Sequence, residues 1–157
     1  MKTLITNNDV VALAFDGAEY VSPQSITPVD IAVATTRFIA PIVGSSLLEA
    51  LGEGRYPTLL EEYVAPALAM GVRVVVQPSL NVRLTTAGLT APNSSTTSAA
   101  STAASTEISR SIANRLRYLC HRLSDHLEDL AEEYAEYDSD SNPLKRCCIY
   151  GGVVQVH

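Results

Sequence analysis

The sequence predicts a mainly α-helical protein, a small helical bundle with one long C-terminal amphipathic helix, extended loops and a short strand-like C-terminal tail. Three observations carry that prediction. Ile108, Ile112, Leu116, Leu119, Leu123, Leu127, Leu130 and Tyr134 recur at steps of four, four, three, four, four, three and four, which places all eight on one stripe of a helix. Helix-start chemistry recurs ahead of the earlier apolar segments, while strand-like alternation is confined to short stretches. Hydrophobic residues make up 46% and charged residues 18% of 157 residues, a composition that builds one core. Residues 1–137 are expected to form one helical domain, and 138–157 a tail.

In chain order, Asn7, Asn8 and Asp9 are candidate caps for a short helix carrying Val10, Val11, Leu13 and Phe15, stopped by Asp16 and Gly17. A surface connector through Tyr20, Val21, Pro23 and Ser25 follows. Thr27 can cap the next helix, Pro28 suits its first position and Asp30 its positive first turn. That helix should run from Pro28 to about Ala40, where Pro41 bends or ends it. Ser46 and Glu49 have capping-box spacing for a short helix through Leu51, closed by Gly52 and Gly54. Pro57, with Thr58 and Glu61 in the same spacing, opens a third helix to about Val76. Leu60, Val64, Ala67, Leu68, Gly71 and Val75 are its expected buried stripe, and Pro66 is a possible kink. The run VRVVV also reads as a strand, but the helical period begins well before it. Pro78 is expected to end the helix.

Asn81 to Thr86 alternates polar and apolar, which reads as an extended arm. Residues 90–106 are Ser, Thr, Ala, Asn and Pro with little to bury, a flexible loop unless the alanines at 99–104 extend the next helix. The long helix is expected over Glu107 to Tyr137, roughly 45 Å at ~1.5 Å per residue. Asp138 to Pro143 is a helix-stopping polar turn. The tail after it carries β-branched residues and a glycine pair, and Ile149, Tyr150, Val153, Val154 and Val156 are its candidate partner-binding residues.

Composition excludes several functions. A net charge of −6 with a pI near 4.9 argues against a general or sequence-specific nucleic-acid binder. No apolar run reaches the ~18 residues of a membrane span, and the start MKTLITNNDV lacks the features of a secretory signal, so no membrane association is expected. Three cysteines without framework spacing fit a reducing compartment. No catalytic, cofactor-binding or metal site is expected. His121 and Asp125 are an i,i+4 pair on the long helix, but His126 points about 140° further round it, so a three-ligand site needs other segments. Cys120 adjoins the buried stripe and reads as a small core thiol. Cys147 and Cys148 lack CxxC spacing and read as reduced strand residues. The glycines form neither a phosphate loop nor a dinucleotide fingerprint.

Charge is segregated along the long helix. Arg110, Arg115, Arg117 and Arg122 occupy its first half, and Glu128, Asp129, Glu132, Glu133 and Glu136 its second. Acids at a helix C-terminus oppose the macrodipole, so local stability does not account for the pattern. Head-to-tail subunit contact accounts for it, as does a solvated face of arbitrary sign, and these nine residues are the candidate subunit interface.

The order of landmarks resembles a known group. A capped helix reads Ile31-Ala32-Val33-Ala34-Thr35-Thr36-Arg37-Phe38-Ile39-Ala40-Pro41-Ile42-Val43-Gly44, followed by Leu47-Leu48-Glu49-Ala50-Leu51. Leu59-Leu60 opens a helix with Ala67-Leu68-Ala69, and Gln77-Pro78-Ser79-Leu80-Asn81-Val82 makes a turn before the small-residue stretch and the long helix. Over roughly residues 5–137 this resembles the phage and prophage head-tail connector proteins (head completion, neck adaptor), including small prophage proteins carrying "I.P.IG..L" and "LP.LNV..S..G" patterns. The resemblance implies a connector-like helical fold whose copies form a homo-oligomeric ring, with loops and termini reaching the portal protein above and tail or neck proteins below. It implies a virion location in the neck, a host-cytoplasmic stage before assembly, and DNA passing through the ring. The alternative is a small cytosolic helical interaction module that dimerises through its long helix. An enzyme built around His121 is the third class.

Overall fold

Thr6 opens the first helix. The computed structural model describes residues 3–17, 19, 21–80, 83–85, 88–90, 102–146, 148–150 and 153–155, and helix α1 is Asn7–Ala14. The Thr6 hydroxyl accepts from the Asp9 amide at 3.3 Å while the Asp9 carboxylate accepts from the Thr6 amide at 2.8 Å, so the cap lies one residue before the expected Asn7. Asn7 instead donates to the Ile26 carbonyl at 2.7 Å, tying the connector to α1. Thr27 and Asp30 form the same reciprocal box at the head of α2 (Pro28–Val43).

Pro41 neither ends nor breaks α2. Thr35–Ile39 form a π-helical turn in which the Ala40 amide donates to the Thr35 carbonyl, five residues back. The widened turn makes room for a ring that would collide with the preceding turn of a regular helix. Thr36 and Arg37 are exposed there, and the buried Thr35 hydroxyl donates back to the Ile31 carbonyl at 2.7 Å. The helix ends two residues beyond the proline, at Val43, and is capped by Gly44, whose φ of +80° suits glycine. Gly44 is also the N-cap of α3 (Ser45–Gly52), which leaves α2 at 117°. The expected Ser46 box is absent because α3 starts at Ser45, placing Ser46 inside the helix.

Helix α4 (residues 57–80) begins with Pro57 after Tyr56, which takes the left-handed conformation at φ 55°. Thr58 therefore lies within the first turn and caps nothing. A second π turn, Leu60–Val64, is closed by the Ala65 amide on the Leu60 carbonyl, and Pro66 follows it. The two bulges share one sequence device, Phe38-Ile39-Ala40-Pro41 and Tyr63-Val64-Ala65-Pro66. Val72 to Val76 are helical, not a strand, and α4 passes Pro78 to end at Leu80. So near the terminus the proline removes one backbone donor, and the helix closes two residues beyond it.

Helix α4 is the hub, packed against α1, α2 and the long helix α5 (Thr102–Asp129). It is buried on nearly every side, with Ala67, Leu68, Ala69, Met70 and Val72 in the core. At Gly71 it crosses α2 so closely that a Cβ would stand 2.9 Å from the Phe38 ring. Arg73 is 6% exposed. Its guanidinium donates to the Ala14 carbonyl at the end of α1, pairs with Glu19 at 2.8 Å and lies 4.6 Å from the Phe15 ring centroid. One buried arginine thus closes α1 onto the hub.

Helix α5 starts earlier and ends earlier than the periodicity predicts. Thr102 to Thr106 are helical, so of the two readings of this stretch the one in which its alanines extend the long helix holds at Ala103 and Ala104, and 91–101 lie outside the described residues. Beyond Asp129 the chain turns, so Leu130 to Tyr137 are not helix, yet Tyr134 remains buried and Leu130 packs against the core. Ending there spares the helix C-terminus most of the acidic run. The chain then makes a 3₁₀ turn at Ser139–Ser141 and a short helix α6 (Pro143–Arg146). Two antiparallel pairs complete the backbone: β1 (Arg83–Thr85) with β2 (Gly88–Thr90), and β3 (Cys148–Tyr150) with β4 (Val153–Gln155).

Candidate functional site

The two ends of α5 differ. Residues 106–111 are exposed on all sides, so this stretch of α5 stands clear of the core. Ile108, first of the apolar stripe, is 46% exposed, whereas Ile112, Leu116, Leu123 and Leu127 are buried. At ~100° per residue the arginines form two rows about 140° apart, Arg110 with Arg117 and Arg115 with Arg122. All four are exposed. Arg110 pairs with Glu107 at 3.0 Å and Arg117 donates to the Asn114 side chain at 2.9 Å, both within α5, while Arg122 lies 4.6 Å from the Tyr63 ring centroid on α4. Exposed pairs of this kind contribute little to stability, which leaves the basic rows available for another molecule.

The acidic end is partly committed within the chain. Glu128 accepts from the Tyr137 hydroxyl at 2.6 Å and the Ser139 hydroxyl at 2.8 Å, and pairs with Lys145 at 2.9 Å. Glu136 accepts from the Tyr56 hydroxyl at 2.8 Å and pairs with Arg55, joining the end of the α5 region to the corner between α3 and α4. Asp129, Glu132 and Glu133 remain exposed. Of the nine charged candidates, Glu128 and Glu136 therefore serve the fold, and the basic rows face solvent together with three acids.

Burial pushes the Glu128 carboxyl up, but hydrogen bonds from Tyr137, Lys145 and Ser139 outweigh it and hold the group below its ordinary value of 4.5. Burial first, then the bond to Glu128, pushes the Tyr137 phenol well above its ordinary range. A carboxyl lowered by folding contributes stability that is complete above its unfolded value and drains as pH falls through the folded one. Denaturant unfolding from about pH 7 down to about pH 3 should show wild type losing more stability below 4.5 than Glu128→Gln. Parallel acid losses in the two proteins would contradict this.

At the heart of the network is Asn142, 0% exposed. Its amide donates to the Ser124 and Tyr137 hydroxyls, each at 2.8 Å, and its carbonyl oxygen accepts from the Leu144 amide at 3.0 Å, capping α6. The expected polar turn is therefore an internal anchor. Composition hides this, although an Asn immediately before Pro143 is a legible helix-start signal.

The histidine region has become a packing feature. His126 stacks on Tyr63 with centroids 3.8 Å apart and lies 3.0 Å from the Tyr134 hydroxyl, and Tyr134 meets Tyr56 edge-on at 5.1 Å. Tyr63, Tyr118, His121, Arg122, Asp125 and His126 line an open groove of about 410 Å³ beside this stack. Among the described residues no group of three or more His, Cys, Asp or Glu is placed to hold a metal ion. Cys120 is buried, and burial pushes its thiol up to about 11, which keeps it protonated and unreactive near neutral pH. Cys147 lies outside the described residues.

Of the tail candidates, Ile149 and Tyr150 fall on β3 and Val153 and Val154 on β4, with Ile149 opposite Val154 and Tyr150 opposite Val153. Val156 lies outside the described residues. One exposed apolar surface had no place in the sequence reading. Val29 and Val33 on α2 are 68% and 43% exposed, a second apolar face legible in the spacing of Val29, Ala32, Val33 and Thr36.

Among the described residues no single helix is long and apolar enough to cross a membrane. No curated protein and no solved structure matches the chain. Residues 38–146, from the first π turn through the Asn142 network to the end of α6, match the model of a family described as being of unknown function, DUF6712, and the chain belongs to that family.

Proposed function

We propose that this chain is a structural subunit of a phage head-tail connector, which joins copies of itself head to tail in a ring between portal and tail proteins. One observation carries the reading. Arg110, Arg115 and Arg117 are exposed toward one end of α5, and Asp129, Glu132 and Glu133 are exposed at and beyond the other. From Arg115 to Asp129 the rod spans roughly 20 Å. Opposite charges held apart on a rigid helix are matched by a neighbouring copy. In this reading the protein assembles in the host cytoplasm, resides in the virion neck, and carries neither cofactor nor catalytic group. DNA passes through without sequence-specific contact, repelled by an acidic chain.

An antiparallel dimer through α5 matches the same charges and is the second reading. It is the weaker one because α5 spends its apolar stripe on its own core, leaving Ile108 and Tyr118 as its large exposed apolar side chains among the described residues.

Light scattering coupled to size exclusion, followed by electron microscopy, tests the reading on the protein alone and with added portal protein. A closed ring in either sample is expected. Reversing both Arg115→Glu and Arg117→Glu should weaken ring formation about tenfold or more with helix content unchanged. Absence of a ring even on the portal, or a discrete dimer alone, overturns the connector reading.

A further inference from the structure

Helix α2 is apolar on two sides. Its inner face buries Ile31, Ala34, Ile39 and Ile42. On its outer face Pro28, Val29, Ala32, Val33 and Thr36 border a shallow groove of about 560 Å³, with Arg37 as the charged member of its rim. A helix apolar all round belongs in an interior, and two exposed valines in one groove mark a surface that gains by being covered. The same chain carries a candidate cover. The projecting turns of α5 expose Ile108, a member of a core stripe left outside its own core, beside Glu107.

We infer that the outer groove of α2 receives the projecting turns of α5 from a second copy of this chain, with Ile108 seated between Val29 and Val33 and Glu107 against Arg37. Charge complementarity selects this occupant. The groove offers one cation at its rim, and the apolar knob has an acid next to it in sequence. Glu107 is held by Arg110 in an exposed i,i+3 pair, with the two side chains 70% and 66% exposed, and such a pair exchanges partners at little cost. Arg37 is exposed, its guanidinium 5.2 Å from the centroid of the neighbouring Phe38 ring. The contact joins unlike surfaces, groove to knob, so it propagates from copy to copy and closes into a ring where the rotation allows. It rests on the proposed ring assembly and adds an apolar joint to the charged one.

The test is the concentration dependence of mass by light scattering for the full chain without portal. Wild type should self-associate, and Val33→Glu and Ile108→Glu should each raise the dissociation constant about tenfold or more. Arg37→Glu should weaken association, and the combination Arg37→Glu with Glu107→Arg should restore it. All four positions are exposed, so circular dichroism and melting should match wild type in every variant. A wild type monomeric at every concentration overturns the joint, while the connector reading is judged separately on the portal. Self-association indifferent to both Val33→Glu and Ile108→Glu also overturns it and assigns the groove to a different protein. Rings lost on reversal of Arg115 and Arg117 but retained in Ile108→Glu leave the connector reading standing without this joint.

Discussion

Arg73→Ala should lower the free energy of unfolding by about 2 to 4 kcal/mol, from a lost charged hydrogen bond and the cavity left under Phe15. The Ala14 carbonyl at the end of α1 loses its buried donor, and the stem that fills the space between α1 and α4 is removed. Glu19 contributes little to the loss because its side chain is 41% exposed and turns to water. Arg73→Lys should recover less than half of the effect. An ammonium carries its donors on one nitrogen and has no planar face to set beside Phe15, whereas the guanidinium reaches the Ala14 carbonyl and Glu19 through two separate nitrogens. Equilibrium denaturation in urea measures both variants. A loss below about 1 kcal/mol would mean that α1 docks through its apolar residues alone.

The second large effect is expected at Asn142. Asn142→Ala should cost about 2 to 4 kcal/mol, because the Ser124 hydroxyl loses a buried partner, the Tyr137 hydroxyl loses a donor and α6 loses its cap. The damage should be shared with Ser124→Ala: a double-mutant cycle between these positions should give a coupling of about 1 kcal/mol, as for other groups in one network. Asn142→Ala and Arg73→Ala have no partner in common and should add. Additivity within the Ser124 pair, seen by the same denaturation, would show that the two side chains act independently.

What the sequence made legible was long-range periodicity and start chemistry. The α5 stripe and the Thr27, Pro28, Asp30 head of α2 are repeated local signals whose physics does not depend on the rest of the chain. Reading helices at 3.6 residues per turn hid the π turns at Thr35–Ile39 and Leu60–Val64, because their mark is a slip of a single residue in the buried pattern, as where Ile39 and not Phe38 takes the core position in α2. The repeated aromatic, β-branched, Ala, Pro tetrapeptide was the available clue. Arg73 in VRVVV looked like a helix-or-strand ambiguity, yet a lone charge in an apolar run is itself a mark of a buried, partnered group. Glu128 and Glu136 read as surface charges because their partners, Tyr137, Ser139, Lys145, Tyr56 and Arg55, come from turns whose placement only the tertiary fold decides. Ile108 belonged to the stripe by spacing, but spacing does not say where the core ends.

The paired π turns also bear on how this chain tolerates changes of length. In a regular helix, removing one residue swings everything downstream by ~100° and tears its inward face from the core. A π bulge is one surplus residue absorbed without that swing, so excision at Thr36 or Glu62, both exposed, would leave the helical segments on either side in phase. The penalty would fall on Pro41 or Pro66, whose ring would then press on a tightened turn. Each proline thus guards a spare residue, and the middle of a helix, ordinarily the least forgiving place for a deletion, becomes in α2 and α4 a place where chain length can vary once the proline is exchanged.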